Sequence, residues 1–416
     1  MKSPIRFGLI GAGGIGGYHL STLESLEREG LVRLVAVTDP QVERFAEKRA
    51  QLESRGVRWH SDYREMLAQH RGELDAVTIA TPIPLHFEMT QACLDHDLFI
   101  YLEKPPAPLI QQLDRLIEAD PKHRVNVGFQ MILSKPVQQL KQWIAAGELG
   151  EIEQIHAGGC WPRLDSYYNR ASWVGSLTHR GEPVFDGPAT NAFAHLIHNI
   201  MFLASPHPDN FDTPVSIRGE LYRARPIESY DIACLQGQLA SGATFSLAVT
   251  HATEELLPFR ISVRGSRGWA RISADGGLLE SSLGELDYPE TTLDLLDTCY
   301  HHFVDYVNGE RPRFHTRLED TRGYVLATNG MKLSSRNIHD VGPQWIRQYH
   351  HEKDRGFDVH ALRQAVDASF DTGRLFSDLE TPWGVSSEPV SVENLTNFSL
   401  NGERETSEQA DRCAVA

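Results

Sequence analysis

The sequence predicts two folded parts: an α/β domain on a doubly wound parallel sheet, then an α+β domain with a large, mostly antiparallel open sheet. Three observations carry this. A short apolar run from Ile5 to Ile10 breaks into the turn Gly11-Ala12-Gly13-Gly14-Ile15-Gly16-Gly17 and resumes as a helical segment. Apolar runs then alternate with helical segments as far as Gln130, the pattern of parallel strands joined by crossover helices. From Glu151 onward strand-like runs follow one another with little helix between them, which is the antiparallel pattern.

The opening strand, glycine turn and helix suit a dinucleotide. In Gly11-x-Gly13-x-x-Gly16 the first glycine permits a tight turn, the second lets the backbone approach a pyrophosphate, and the third lets helix and strand pack closely. The helix N-terminus, with Gly14 and Ile15 before Gly16, offers N–H groups and partial positive charge to phosphates. The second strand, Arg33 to Thr38, ends in Asp39, where such folds bind the adenine-ribose hydroxyls. Asp39 repels a 2′-phosphate, so NAD is expected, with NADP admitted if Arg44 offsets that charge. Asp39 also suits the cap of a helix starting near Gln41. Ala76 to Ala80 reads as a buried strand ending at Thr81-Pro82, with His86 just beyond, and Leu98 to Leu102 as another ending at Glu103-Lys104-Pro105. Val125 to Gln130 closes the series. Ligands bind outside the carboxyl ends of such strands, so Gly11, Asp39, Thr81, Lys104 and Gln130 are expected along one edge.

Composition narrows the function classes. The chain has 416 residues, which favours two domains, and 40 Lys+Arg against 56 Asp+Glu give a formal net charge of -16. That balance argues against a nucleic-acid or anionic-membrane surface. Five cysteines without a C-x-x-C pair fit a reducing compartment, and with neither signal-peptide pattern nor membrane-length apolar run the expected location is cytoplasmic.

Gly11-Ala12-Gly13-Gly14-Ile15-Gly16, Ala80-Thr81-Pro82 with His86, Glu103-Lys104-Pro105 and Gly147-Glu148-Leu149-Gly150-Glu151-Ile152 together resemble the Gfo/Idh/MocA oxidoreductases over roughly residues 5 to 335. The resemblance implies that Lys104 points at the reacting hydroxyl and that Glu103 helps hold the cofactor ribose. It also implies that the bond before Pro105 is cis, and that an open sheet face builds a homodimer or homotetramer. A Lys beside nicotinamide can stabilise a developing alkoxide.

In the second part, Trp161 to Trp173 carries Tyr168, Arg170 and Trp173, suited to the C–H faces and hydroxyls of a sugar or to a carboxylate; large rings also anchor loops. Asn191, His195 and Asn199, four apart, should share one helical face. By resemblance His195 is the acid/base residue toward the substrate hydroxyl, while Asn191 stands where Asp is common and so orients or binds rather than raising basicity. His198 reads as structural, and no metal site is expected. Leu293 to Asn308 and Leu318 to Arg336 read as helices, the latter packing beside the cofactor domain by resemblance. The expected organisation is a dinucleotide-binding (Rossmann) domain at 1–128, a substrate and oligomerisation domain at 129–336, a packed extension at 337–384, and a disordered, polar tail at 385–416.

The function expected is an NAD(P)-dependent oxidoreductase moving hydride between nicotinamide and a secondary hydroxyl of a sugar, sugar acid or cyclitol. The alternatives are an NAD-dependent glycosidase working by transient oxidation, and a non-catalytic NAD- or sugar-sensing regulator.

Overall fold

The computed structural model describes residues 3–273, 277–288 and 292–400, and the chain divides into two compact units. The first comprises residues 1–107, 112–133 and 291–321. Its sheet holds β1 (Ile5–Ile10), β2 (Val32–Thr38), β3 (Arg58–His60), β4 (Ala76–Ile79), β5 (Phe99–Leu102) and β6 (Val125–Val127), all parallel, in the order β3-β2-β1-β4-β5-β6. The strand order reverses beside β1, which is where doubly wound sheets take their ligands. Strand β3 was not legible: Arg58-Trp59-His60 is three residues long and has no apolar run, and pairing with β2 makes it a strand.

The two units differ from the expected boundaries: residues 108–111 belong to the second unit, 129–133 to the first, and the extension is part of the second unit. The helix Thr292–Val307, expected in the second domain, belongs to the first unit. Its Tyr300 stacks on Tyr101 of β5 at 4.6 Å and its Phe303 packs against Phe7 of β1 at 5.5 Å, both within the core that includes Leu9, Leu23 and Phe314. The helix expected to return beside the cofactor domain spans Arg322–Ser335 and lies in the second unit. Helical periodicity shows that a helix has an apolar face, and only tertiary fit decides which sheet that face meets.

In the second unit the large sheet runs Gly284–Asp287, Leu278–Ser281, Trp269–Ser273, Leu257–Gly265, Ile152–Cys160, Thr244–Thr250, Ile232–Leu239, Pro214–Arg223 and His339–Asp340, with Val390–Ser391 also paired to Pro214–Arg223. Two of its pairings are parallel, Ile152–Cys160 with Thr244–Thr250 and Pro214–Arg223 with His339–Asp340. Alternate residues of Pro214–Arg223 face opposite ways. Gly219 lies so close to Met331 of the helix Arg322–Ser335 that a β-carbon there would sit 2.8 Å from the Met331 Cα, while Tyr222 faces Phe376 and Trp383 of the extension.

The extension therefore forms a third layer. Its helix Leu362–Thr372 and Leu375, Phe376 and Trp383 join Tyr222, Ile232, Cys234, Ala248 and Cys160 in one apolar core. Buried Glu220 accepts hydrogen bonds from the Tyr222 hydroxyl at 2.7 Å and the Ser377 backbone at 3.2 Å, and Arg218 pairs with Asp378 at 2.7 Å. The sheet face expected to be open is covered across these rows by the chain's own residues. The expected disordered tail is also corrected: Val390–Ser391 pairs with Ser216 and Ile217, Val392 and Phe398 are fully buried, and the Phe398 backbone exchanges two hydrogen bonds with the Gln111 amide. A few apolar anchors outweigh a polar composition there; residues 401–416 of that expectation lie outside the described residues.

Burial of Val392, Leu395 and Phe398 contributes roughly 1.5–3 kcal/mol per side chain. A chain ending at Val385 should therefore lose at least about 5 °C in thermal midpoint by circular dichroism. An unchanged midpoint would show that the segment merely rests on the body.

Candidate functional site

The glycine turn is shaped by close backbone approach. Gly11 has φ +95°, and a β-carbon there would lie 2.6 Å from the Ala80 carbonyl oxygen; one at Gly16 would overlap the Gly11 carbonyl. Gly14 has φ +54° and meets nothing within 4 Å, so that side of the turn is open to a ligand. Asp39, buried at the end of β2, ties the turn down: its carboxylate accepts from the Ala12 N–H at 3.0 Å and the Gln41 N–H at 2.9 Å. A carboxylate has about four acceptor sites. Ribose hydroxyls can still bond to it alongside both amides.

Gly11, Asp39, Thr81, Lys104 and Gln130 follow β1, β2, β4, β5 and β6, so the parallel sheet gathers them on its carboxyl edge. Buried Gln130 has no protein partner for its Oε1. The Lys104–Pro105 bond is cis. His86 differs from its expected role as a cofactor contact. It is buried, and its two ring nitrogens lie 2.7 Å from the Pro105 carbonyl and 2.9 Å from the Thr81 carbonyl. Burial lowers its pKa, so the neutral ring donates to one carbonyl at a time and braces the loops after β4 and β5 from behind. Thr81 turns its hydroxyl toward the Met89 sulfur, and Pro82 begins the turn into the next helix.

The residue that sequence reasoning missed is His19. It is fully buried on the first helix; its Nε2 lies 3.0 Å from Glu103 Oε1 and its Nδ1 lies 2.8 Å from the Tyr300 hydroxyl. A carboxylate only accepts, so Nε2–H donates to Glu103; in the neutral ring the Tyr300 O–H then donates to Nδ1 and the Thr78 hydroxyl, 2.8 Å away, donates to Tyr300. Glu103 Oε2 in turn accepts from the Lys104 N–H at 3.2 Å. A histidine three residues after Gly16, beside buried Leu20 and Leu23, was the available signal.

In the second unit, Asn191 does not continue the helix of His195. It lies in the wider π turn Pro188–Ala192, the chain breaks at Phe193, and the helix Ala194–Ala204 follows, so Asn191 and Asn199 do not share a regular face. A second missed residue explains the turn. Buried Asp186 accepts from the Asn191 Nδ2 at 2.9 Å and from the Gly175 N–H at 2.7 Å, fixing the Asn191 amide. His195 is almost fully buried, and His198 stacks on Phe211 at 4.7 Å. Lys141 donates to the Phe202 and Ser205 carbonyls, the latter at 2.8 Å, capping that helix; burial pulls its ammonium down to about 7. Tyr168 lies under Arg225, while Arg170 lies over Tyr167 and Trp173. Among the described residues no three His, Cys, Asp or Glu side chains gather as a metal site.

Residues 5–130 match the model described as "Oxidoreductase family, NAD-binding Rossmann fold", and residues 137–271 match the GFO/IDH/MocA C-terminal domain. The chain belongs to the Gfo/Idh/MocA oxidoreductase family. It is similar to the rhizopine catabolism protein MocA of Rhizobium meliloti, 23% identical over 82% of this chain and 99% of that protein. It is also similar to inositol 2-dehydrogenase/D-chiro-inositol 3-dehydrogenase of Halalkalibacterium halodurans, 30% identical over 42% of this chain and 50% of that protein. The fold matches the WlbA dehydrogenase of Bordetella pertussis, solved with NADH and UDP-GlcNAcA, at a TM-score of 0.68 and 24% identity over 80% of this chain and 97% of that one. As a Gfo/Idh/MocA oxidoreductase the chain binds NAD, and its residues fit that cofactor: the turn leaves room at Gly14, the Asp39 carboxylate at the end of β2 has acceptor sites beyond its two amide bonds, and Gln130 Oε1 lacks a protein partner.

Replacing His19 tests the buried chain. His19→Phe leaves the Glu103 carboxylate buried without its ring donor, which should cost about 3 kcal/mol of stability and loosen the strand end that bears Lys104. NADH affinity, followed by fluorescence titration, should fall about tenfold, equivalent to 1.4 kcal/mol. His19→Gln, whose amide can donate to Glu103, should recover part of both; wild-type affinity in His19→Phe would contradict the link.

Proposed function

We propose that this Gfo/Idh/MocA oxidoreductase transfers hydride between NAD, or less favourably NADP, and a secondary hydroxyl of a sugar, sugar acid or cyclitol. In this reading the bound nicotinamide supplies the hydride acceptor at C4. Glu103, held by His19, contributes to cofactor binding and fixes the start of the Lys104 loop. Lys104 donates hydrogen bonds to the oxygen that becomes an alkoxide as the C–H bond breaks, which lowers the barrier where charge develops. His195 accepts the hydroxyl proton through its imidazole. Asn191, its amide fixed by Asp186, orients the substrate, and Tyr168, Arg170 and Trp173 supply ring faces and donors.

The observation that supports this most is the buried Thr78–Tyr300–His19–Glu103 chain ending at Lys104, which commits four side chains to fixing one strand end. The names of the relatives, among them inositol 2-dehydrogenases, support a polyhydroxylated substrate. Association into a homodimer or homotetramer belongs to the same reading. With much of the second sheet covered by the extension, the exposed apolar side chains of Trp269 and Leu286 on the strands beyond it, and of Leu283 in the turn before Gly284–Asp287, favour that edge as the contact.

Purified protein should reduce NAD, read at 340 nm, with at least one member of a panel of sugars, sugar acids and inositols. His195→Ala should then lower kcat by about 10²–10⁴-fold, the usual contribution of a general base, with NADH binding retained. Lys104→Ala should lower kcat comparably. Turnover that survives both substitutions would remove these assignments.

A further inference from the structure

The loop from Trp161 to Trp173 holds two guanidinium groups whose charges are not spent on carboxylates. Arg163 and Arg170 lie over the Tyr167 ring, 4.9 and 4.1 Å from its centroid, and each also lies over a tryptophan, Trp161 at 5.6 Å and Trp173 at 5.7 Å. Arg225 and Arg355 of the same neighbourhood behave differently. Both pair with Asp165, using one carboxylate oxygen each. Among the described residues neither Arg163 nor Arg170 forms an ion pair, in a chain with 56 acidic and 40 basic residues, and the buried Arg163 Nε has no hydrogen-bond partner. Asp186, the nearby carboxylate, already accepts from Gly175 and Asn191.

Contact with aromatic rings holds both guanidinium groups, and although Arg163 also bonds the Tyr167 hydroxyl, a guanidinium has five N–H donors, so the remaining ones can receive an oxyanion. The positive field is also felt by buried His251, 5.7 Å from Tyr167: burial first, then Arg163, Arg225 and Arg170, press its pKa to about 3, so it adds no charge of its own. The loop is tied to the segment bearing His195, because Trp161 packs on Phe193 at 4.5 Å.

We propose that Arg163 and Arg170 form an oxyanion subsite, so that the substrate carries a carboxylate or a phosphate in addition to the hydroxyl that is oxidised. This rests on the dehydrogenase reading for its meaning but is measurable without turnover. Calorimetric titration of the full chain, saturated with NADH, would compare D-glucuronate and D-glucose 6-phosphate with D-glucose and myo-inositol. At least one anionic probe should bind tenfold or more tighter than the neutral ones, glucuronate indicating a carboxylate and the phosphate ester a phosphate. Arg163→Met and Arg170→Met should each reduce that anion preference about tenfold, with the thermal midpoint retained.

Equal affinity for neutral and anionic probes, no binding of either anion, or a preference unchanged in both variants would overturn the subsite. NAD reduction with neutral polyols and no anion preference would overturn the subsite and leave the dehydrogenase reading standing. Anion preference without NAD reduction by any probe would do the reverse.

Discussion

The first unit depends on a place where two stretches of backbone come closer than any side chain allows. At Gly16 a β-carbon would overlap the Gly11 carbonyl, and at Gly11 one would press on the Ala80 carbonyl. That contact lets the first helix start directly beneath the turn, with its positive dipole end at the carboxyl edge of the sheet. Asp39 extends the constraint to the next strand by bonding Ala12 and Gln41, so the glycine turn and the end of β2 are fixed by the same carboxylate. Adding a methyl group at Gly16 would separate helix from strand and displace both.

The same helix carries the constraint inward. His19 sits one turn beyond Gly16, where the close approach brings its ring against Glu103, and Tyr300 from the helix Thr292–Val307 completes the chain. A segment far along the sequence thereby becomes part of the cofactor unit. The stacked Tyr101 and Tyr300 rings, nearly parallel at 8°, exclude water from these bonds, and a buried polar chain of this kind specifies one arrangement only while every member is satisfied.

Much of this was legible in the sequence for physical reasons. Strand-end residues such as Asp39 and Lys104 could be placed because parallel strands present their carboxyl ends together, and the glycine spacing has a steric meaning. His19 and Asp186 were missed because each acts through a neighbour, Glu103 or Asn191, and partnership between residues 84 and 5 positions apart leaves no periodic trace. The helical spacing of Asn191, His195 and Asn199 misled because a π turn inserts an extra residue, and i to i+4 reasoning assumes 3.6 residues per turn. The segment 385–400 was misjudged because its polar composition hides a few anchors, Val392 and Phe398, whose burial only the finished sheet provides. For the same reason the extension's role as a third layer over Tyr222 and Ile232 could be foreseen only as packing somewhere on the body.

In the reading proposed above, the glycine turn and Asp39 together seat NAD, with the Asp39 carboxylate accepting ribose hydroxyls. Paired fluorescence titrations with NADH and NADPH test it most directly. Saturable NADH binding should be at least about tenfold tighter than that of NADPH, a difference of about 1.4 kcal/mol or more set against the 2′-phosphate by Asp39. NADPH binding as tight as NADH, or no binding of either, would contradict it.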